Sequence, residues 1–187
     1  MTRLERRFQR AGHGTLNWGY NSWFRPIEVH SRQLIDTIKQ LDADENISVI
    51  DFVTHSMGCI VTRAALLKHR PRKCGRWVML APPNHGSHMA TRLDPVVGWL
   101  MKPIRELRVS EDSYVKKLSV PADLDIAVVA ASRDFIVDAK STRIPEEKDR
   151  FVVRALHSTM LLRRDVADQC LHFLRNGLFN KEVYSAE

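Results

Sequence analysis

The feature that most constrains the fold is a regular alternation of short apolar runs with longer amphipathic runs along most of the chain. The short runs are rich in Val, Ile and Ala, which predicts strands at 47–53, 77–80, 126–131 and 151–156. Strands that are separated by helices usually pair in parallel, with helices covering both faces of the sheet. We therefore predict an α/β fold, with a mainly parallel sheet flanked by helices on both faces, in a single domain over residues 1–187.

The longer runs repeat apolar residues at helical spacing. They predict helices over 2–11, 27–41, 57–69 and 158–176. Gly177 is expected to cap the last helix. A further short strand is predicted at 15–20, and 91–114 is interpreted as a mixed, mainly helical region. His30 and His69 are interpreted as surface residues of their helices.

Charge and cysteine content narrow the function classes. The formal net charge of +7 would suit a partner such as nucleic acid or an anionic membrane. The basic residues are spread along the chain, however, and the first cluster alternates with Leu4 and Phe8 as a helix surface does. We expect no nucleic-acid partner, and we keep peripheral contact with a membrane or lipid as an alternative. The three cysteines show no paired spacing, so no disulfide framework or zinc site is predicted. Without a signal or membrane-spanning run, cytoplasmic location is the default expectation.

The segment "DFVTHSMGC" places a serine, Ser56, where a predicted strand meets a predicted helix. A nucleophilic serine needs such a sharp turn, with small residues two positions before and two positions after it. Gly58 fills the second of these positions and Thr54 the first, where glycine is usual. The backbone N–H of Met57 would then bind an oxyanion at the start of the helix. The other interpretation is that Ser56 only caps the helix.

A nucleophilic serine also needs a base and an acid that orients the base. His157 directly follows the last predicted strand and is the expected base, and Asp134 follows the strand before it and is the expected acid. Asp138 is an alternative acid, and His85 and His88 are alternative bases that precede the acid in the chain. His55 adjoins the serine but points away from it on the same turn, so we expect it to line or support the site.

Together these residues and their surroundings resemble the α/β-hydrolases of the lipase and esterase type, especially small bacterial members. The similar segments run in order along nearly the whole chain: "VTHSMGCIVTR", "MLAPPNHGS", "DFIVDAKST", "LHSTML" and "HFLRNGLF". Cys59 and Phe135 stand where the family usually has glycine. The chain order Ser56, Asp134, His157 is also the order of the family's triad.

The resemblance implies a lipase- or carboxylesterase-type serine hydrolase that acts on a small-molecule or lipid ester and requires no metal or cofactor. It also implies that the loop with Pro83, Asn84 and His85 borders the site. Aromatic and thioether side chains are candidates for an acyl pocket or, alternatively, for the core: Trp23, Phe24, Trp99 and Met101. The oligomeric state is not predicted.

One part of the family pattern is not in this sequence. The family has an earlier strand ending in His-Gly, and the loop after it donates the second oxyanion N–H. The present sequence begins at what resembles the helix after that loop, and its own His13-Gly14 precedes a predicted strand, so we interpret it as a helix stop. Three explanations stay open: a start upstream, a strand supplied from elsewhere, or an incomplete oxyanion hole. In the last case the protein would retain the fold with little activity and serve as a binding or interaction module.

Overall fold

The computed structural model describes residues 1–21, 25–87, 89–90, 106–110 and 112–181. Its helices are α1 (Thr2–Arg10), α2 (Ile27–Ala43), α3 (Met57–Lys68), α4 (Tyr114–Lys117) and α5 (Arg164–Asn176), with a 3₁₀ turn at Thr159–Leu162. Its strands are β1 (Ile50–His55), β2 (Cys74–Leu80), β3 (Ile126–Ala131) and β4 (Glu147–Val153). No helix among these residues is long and apolar enough to cross a membrane. Most of the predicted mixed region at 91–114 lies outside the described residues.

The four described strands form one parallel sheet in the order β1-β2-β3-β4. Each strand pairs with the next one along the chain, and a segment of chain crosses over between them. All four carboxyl ends therefore lie at the same edge of the sheet, which is the edge where sites form in such folds. The prediction of an α/β fold with a parallel sheet is confirmed.

Helices cover both faces of this sheet. Trp77 and Met79 of β2 point to the face covered by α2 and α3, where they join one buried apolar cluster. The alternate residues Val78 and Leu80 point to the face covered by α1 and α5 and join a second cluster. Because both faces are buried, β3 is apolar throughout and every one of its residues is buried, as are the last four residues of β2.

The strand predicted at 15–20 is wrong. The segment has no regular secondary structure, because no described strand pairs with it. Side chains hold it in place instead: Gln9 donates a hydrogen bond to Thr15, Asn17 donates one to Glu5, and Trp18 packs on the first core cluster.

The boundaries of the later elements also differ from the predicted ones. β4 begins at Glu147 instead of 151, because Arg150 pairs with Glu147 and satisfies the polar start of this edge strand. The predicted helix at 158–176 is broken at Arg163, whose extended backbone separates the 3₁₀ turn from α5. His30, predicted at the surface, is 1% exposed because it faces the core side of α2. His69 is half-buried, so its predicted surface position is only partly right.

Gly177 ends α5 as predicted, in the left-handed conformation with φ of 77°. Its N–H donates to the carbonyl of Phe173, and a Cβ there would lie 3.3 Å from Lys148 Nζ. We expect Gly177→Ala to lower the free energy of unfolding by about 1–2 kcal/mol, because a Cβ strains this conformation. Gly14→Ala is the matched control, since nothing lies within 4 Å of its Cβ position. Urea unfolding measures both, and equal stability of the two variants would contradict the prediction.

Candidate active site

A strained turn presents Ser56 between β1 and α3. Ser56 has φ of 54° and ψ of −129°, a backbone conformation that is rare for a residue with a side chain. Two hydrogen bonds hold it: its N–H donates to the carbonyl of Leu80 (2.9 Å), and its carbonyl accepts from the N–H of Cys59 (2.9 Å). The N–H of Met57 has no acceptor among the described residues, as expected for the first residue of a helix. The turn therefore leaves a free backbone donor beside the serine.

The two departures from glycine around this turn contact each other. Thr54 Oγ1 donates to Cys59 Sγ at 3.2 Å and accepts a hydrogen bond from the indole Nε1 of Trp77 at 2.8 Å. Trp77 and Cys59 are both fully buried. Burial raises the pKa of the Cys59 thiol to about 12, so it stays a neutral packing group. Thr54 thus provides the hydrogen-bond acceptor that allows the indole N–H of Trp77 to be buried beneath the turn.

We expect Thr54→Val to destabilise the protein by about 1–3 kcal/mol, because it leaves the Trp77 N–H buried without an acceptor. Thr54→Ser keeps the hydroxyl and is the matched control, which should lose much less. Urea unfolding monitored by tryptophan fluorescence compares the two. If valine and serine cost the same, the hydrogen bond is not what stabilises this position.

The structure brings Ser56, His157 and Asp134 into one chain of hydrogen bonds. His157 Nε2 lies 2.8 Å from Ser56 Oγ, and His157 Nδ1 lies 2.6 Å from Asp134 Oδ2. A carboxylate only accepts, so Nδ1 carries the proton and Nε2 accepts from the serine hydroxyl. This is the arrangement in which imidazole can act as a base toward serine.

Backbone donors fix the carboxylate of this chain. Asp134 Oδ1 accepts from the N–H groups of Ile136 (2.8 Å) and Val137 (2.9 Å), and its side chain is 1% exposed. Burial opposes the charge, but the hydrogen bonds from His157 and these two N–H groups outweigh it and keep the pKa of Asp134 below its usual value. Asp138, the alternative acid, is exposed and accepts from the N–H of Lys140 instead.

His55 supports the loop that carries His157. Its Nε2 lies 3.0 Å from the His157 carbonyl oxygen, so it must be the donor, and the two rings lie 4.7 Å apart. Burial and then the charge of His157 lower the pKa of His55 to about 4. His55 is therefore neutral at neutral pH, and it contacts His157 rather than Ser56 Oγ.

The depressed pKa of His55 predicts an acid-sensitive contribution to stability. Since the unfolded state binds the proton near pH 6.5 and the folded state only near pH 4, this contribution is present above pH 6.5 and is lost as the pH falls to about 4. His55→Gln keeps a donor without titrating, so the variant should lose less stability than the wild type between pH 7 and 4. Urea unfolding across this range measures the difference. The loss due to Asp134 is common to both proteins, so parallel curves would contradict the prediction.

The loop after β2 is packed inward. The Asn84 side chain is buried, donates to the carbonyl of Thr142 at 2.9 Å and accepts from Arg63 at 3.3 Å. Pro83 is buried beside it and His85 is exposed. No hydrogen bond in the described part of the chain joins these three residues to the Ser56–His157–Asp134 chain. Their role as site-lining residues stays a prediction.

Arg63 is a residue of this region that the sequence did not single out. It lies on the buried face of α3 and donates to the backbone carbonyls of Ser119, Val115 and Leu118. Because Arg63 also donates to Asn84, it connects the loop after β2 to the segment around α4. Its position inside the apolar run "IVTRAALL" was the available signal. Trp23, Phe24, His88, Trp99 and Met101 lie outside the described residues.

Comparison with known proteins identifies the fold. No model of a known protein family matches this sequence, and no curated protein matches it. Solved structures do. A lipase-esterase related protein from Clostridium acetobutylicum matches with a TM-score of 0.59 at 14% identity, over 92% of this chain and 87% of that one. The metagenomic carboxyl esterase MGS0156 matches with a TM-score of 0.58 at 18% identity, over 76% of this chain and 54% of that one.

A further match is the propeptide form of the lipase BlEst2 from Bacillus licheniformis, with a TM-score of 0.60 at 13% identity. It covers 74% of this chain but only 38% of the lipase, so this chain spans less than half the length of that relative. These neighbours share the parallel sheet and its helices, and the fold is that of the α/β-hydrolases. At such low identity the similarity establishes the fold alone.

Proposed function

We propose that this protein is a serine hydrolase that cleaves carboxylic esters through an acyl-enzyme. The observation that carries the proposal is the continuous chain from Ser56 Oγ through His157 to Asp134, with distances of 2.8 and 2.6 Å. It lies at the carboxyl edge of the sheet, and the serine sits on a strained strand-to-helix turn. The lipase and esterase names of the structural neighbours favour an ester over other acyl substrates.

In the first half of the proposed reaction, Ser56 Oγ attacks the ester carbonyl carbon while His157 Nε2 takes the hydroxyl proton. The imidazolium that forms keeps its other proton on Nδ1, facing Asp134, which stabilises the new charge. The carbonyl oxygen becomes an oxyanion and accepts from the Met57 N–H. The intermediate then collapses, the bond to the alcohol breaks, and the alcohol leaves with the proton from His157.

In the second half, water attacks the acyl-enzyme. His157 takes a proton from the water, a second oxyanion forms at the same place, and the bond to Ser56 Oγ breaks. The proton returns to the serine and the carboxylic acid leaves. The reaction as proposed consumes one ester and one water, and its proton transfers all pass through His157. A small-molecule or lipid ester fits this chemistry equally well.

Fluorophosphonate labelling tests the nucleophile. We expect the wild type to be labelled covalently, and Ser56→Ala to lose the label because no other serine in the described part of the chain is hydrogen-bonded to a histidine in this way. Ser158→Ala is the matched control, since Ser158 is an exposed serine next to His157 and should not affect labelling. Intact-protein mass spectrometry gives the readout. Absence of Ser56-dependent labelling would sink the hydrolase proposal and favour a binding or interaction module with the same fold.

The two candidate acids give a second test. Asp134→Asn should lower kcat for a p-nitrophenyl ester by about 10⁴-fold, because an amide at this position favours the wrong tautomer of His157. Asp138→Asn should leave kcat near the wild-type value, since Asp138 is exposed and accepts from the Lys140 N–H rather than from His157. Steady-state kinetics of both variants decide between the acids, and the reverse result would assign the role to Asp138.

A further inference from the structure

The start of α3 has a tyrosine hydroxyl beside it. Tyr20 Oη lies 3.9 Å from the position that a Cβ on Gly58 would take. Apart from the neighbouring residues and backbone of α3 itself, no other heavy atom of the described residues lies within 4 Å of that position. Gly58 is the second residue after Ser56, so this hydroxyl lies next to the turn that carries the nucleophile and the free Met57 N–H.

Packing holds the Tyr20 ring in this position. Its ring centroid lies 4.5 Å from that of His30 and 5.1 Å from that of Trp18, and both tyrosine and tryptophan pack on the first core cluster. His30 itself is buried in α2. A ring fixed between two others keeps its hydroxyl in one place, which is the preorganisation that stabilisation of a transition-state charge requires.

The Tyr20 hydroxyl is available as a hydrogen-bond donor. No described residue forms a hydrogen bond with Tyr20 Oη. Burial, with a smaller effect of Cys59, raises the pKa of Tyr20, so the group stays protonated at every working pH. A cleft of about 530 Å³ opens beside it, lined among others by Trp18, Arg25 and Gln33.

Polar side chains at the end of β1 and in the loop after β2 already have hydrogen-bond partners. The Asn84 amide donates to the Thr142 carbonyl, Ser87 Oγ donates to the Ile136 carbonyl at 2.7 Å, and His55 Nε2 donates to the His157 carbonyl. Using any of them for an oxyanion would break a contact that holds a loop. Tyr20 carries no such cost within the described structure.

We propose that Tyr20 is a catalytic residue whose hydroxyl donates the second hydrogen bond to the oxyanion, together with the Met57 N–H. This inference rests on the ester hydrolysis proposed above. As Ser56 Oγ adds to the carbonyl carbon, negative charge grows on the carbonyl oxygen and the Tyr20 hydrogen bond strengthens. The proton stays on the tyrosine throughout, and the bond weakens again when the carbonyl re-forms. A tyrosine hydroxyl is one of the side-chain donors that serve in oxyanion holes.

Tyr20→Phe removes the hydroxyl and keeps the ring. We expect kcat for a p-nitrophenyl ester to fall about 100-fold, with little change in KM, because the hydrogen bond matters most in the transition state. Affinity for a trifluoromethyl ketone, which forms a tetrahedral adduct with serine, should fall by a similar factor. Tyr114→Phe is the matched control, since that hydroxyl faces Glu28 at 3.4 Å and should leave both values unchanged.

The outcomes separate this inference from the hydrolase proposal. If the wild type shows no Ser56-dependent turnover, the hydrolase proposal fails first. A second outcome is that the wild type hydrolyses esters and the Tyr20→Phe variant keeps the wild-type kcat and ketone affinity. If the variant's midpoint of thermal unfolding is also unchanged, the role of Tyr20 is overturned. Should the variant fold poorly, wild-type protein labelled with ¹³C at the tyrosine Cζ gives an independent reading. The Tyr20 resonance should shift when the ketone adduct forms, and an unmoved Tyr20 resonance contradicts the proposal.

Discussion

The parallel pairing of β1 with β2 is the constraint on which the site depends. The ladder ends with His55 opposite Leu80, and the Leu80 carbonyl then accepts the N–H of Ser56, one residue past the strand. That bond, together with the one from the Cys59 N–H to the Ser56 carbonyl, holds the sharp turn into α3 and positions the serine. The β3–β4 ladder continues in the same way, since Ser132 and Arg133 donate to the carbonyls of Val153 and Ala155. Sheet hydrogen bonding therefore places the three loops with Ser56, Asp134 and His157 at the same edge of the sheet.

A strained turn persists only where its surroundings determine it fully. Around Ser56 they do so through the hydrogen-bonded side chains of Thr54, Cys59 and Trp77. Thr54 provides an acceptor for the buried Trp77 indole, and Cys59 fills the space between strand and helix. Where glycines would let the two elements approach closely, this chain has a hydroxyl and a thiol that contact each other. The departure from glycine at both positions is compensated by one small hydrogen-bonded unit.

The spacing of apolar residues in the sequence predicted the elements whose side chains are buried. β3 was bounded correctly because all its residues are buried, and α1 was recognised from Leu4 and Phe8. Asp134 was preferred to Asp138 as the acid because it directly follows the predicted strand 126–131, and parallel strands place the loops at their carboxyl ends at one edge of the sheet. Polar segments were missed, as at the start of β4, where pairing with β3 and the Arg150–Glu147 contact override low strand propensity. The strand expected at 15–20 failed for the opposite reason, since its residues favour a strand but no described strand pairs with it.

Tyr20 shows why some site residues escape sequence reasoning. It lies 36 positions before Ser56 in the chain, in a segment without regular structure, and only tertiary packing brings its hydroxyl to α3. A backbone N–H such as that of Met57 is fixed by the turn itself, whereas a side-chain donor is fixed only by what packs on its ring. The stack of Trp18, Tyr20 and His30 therefore links the first core cluster to the nucleophile turn.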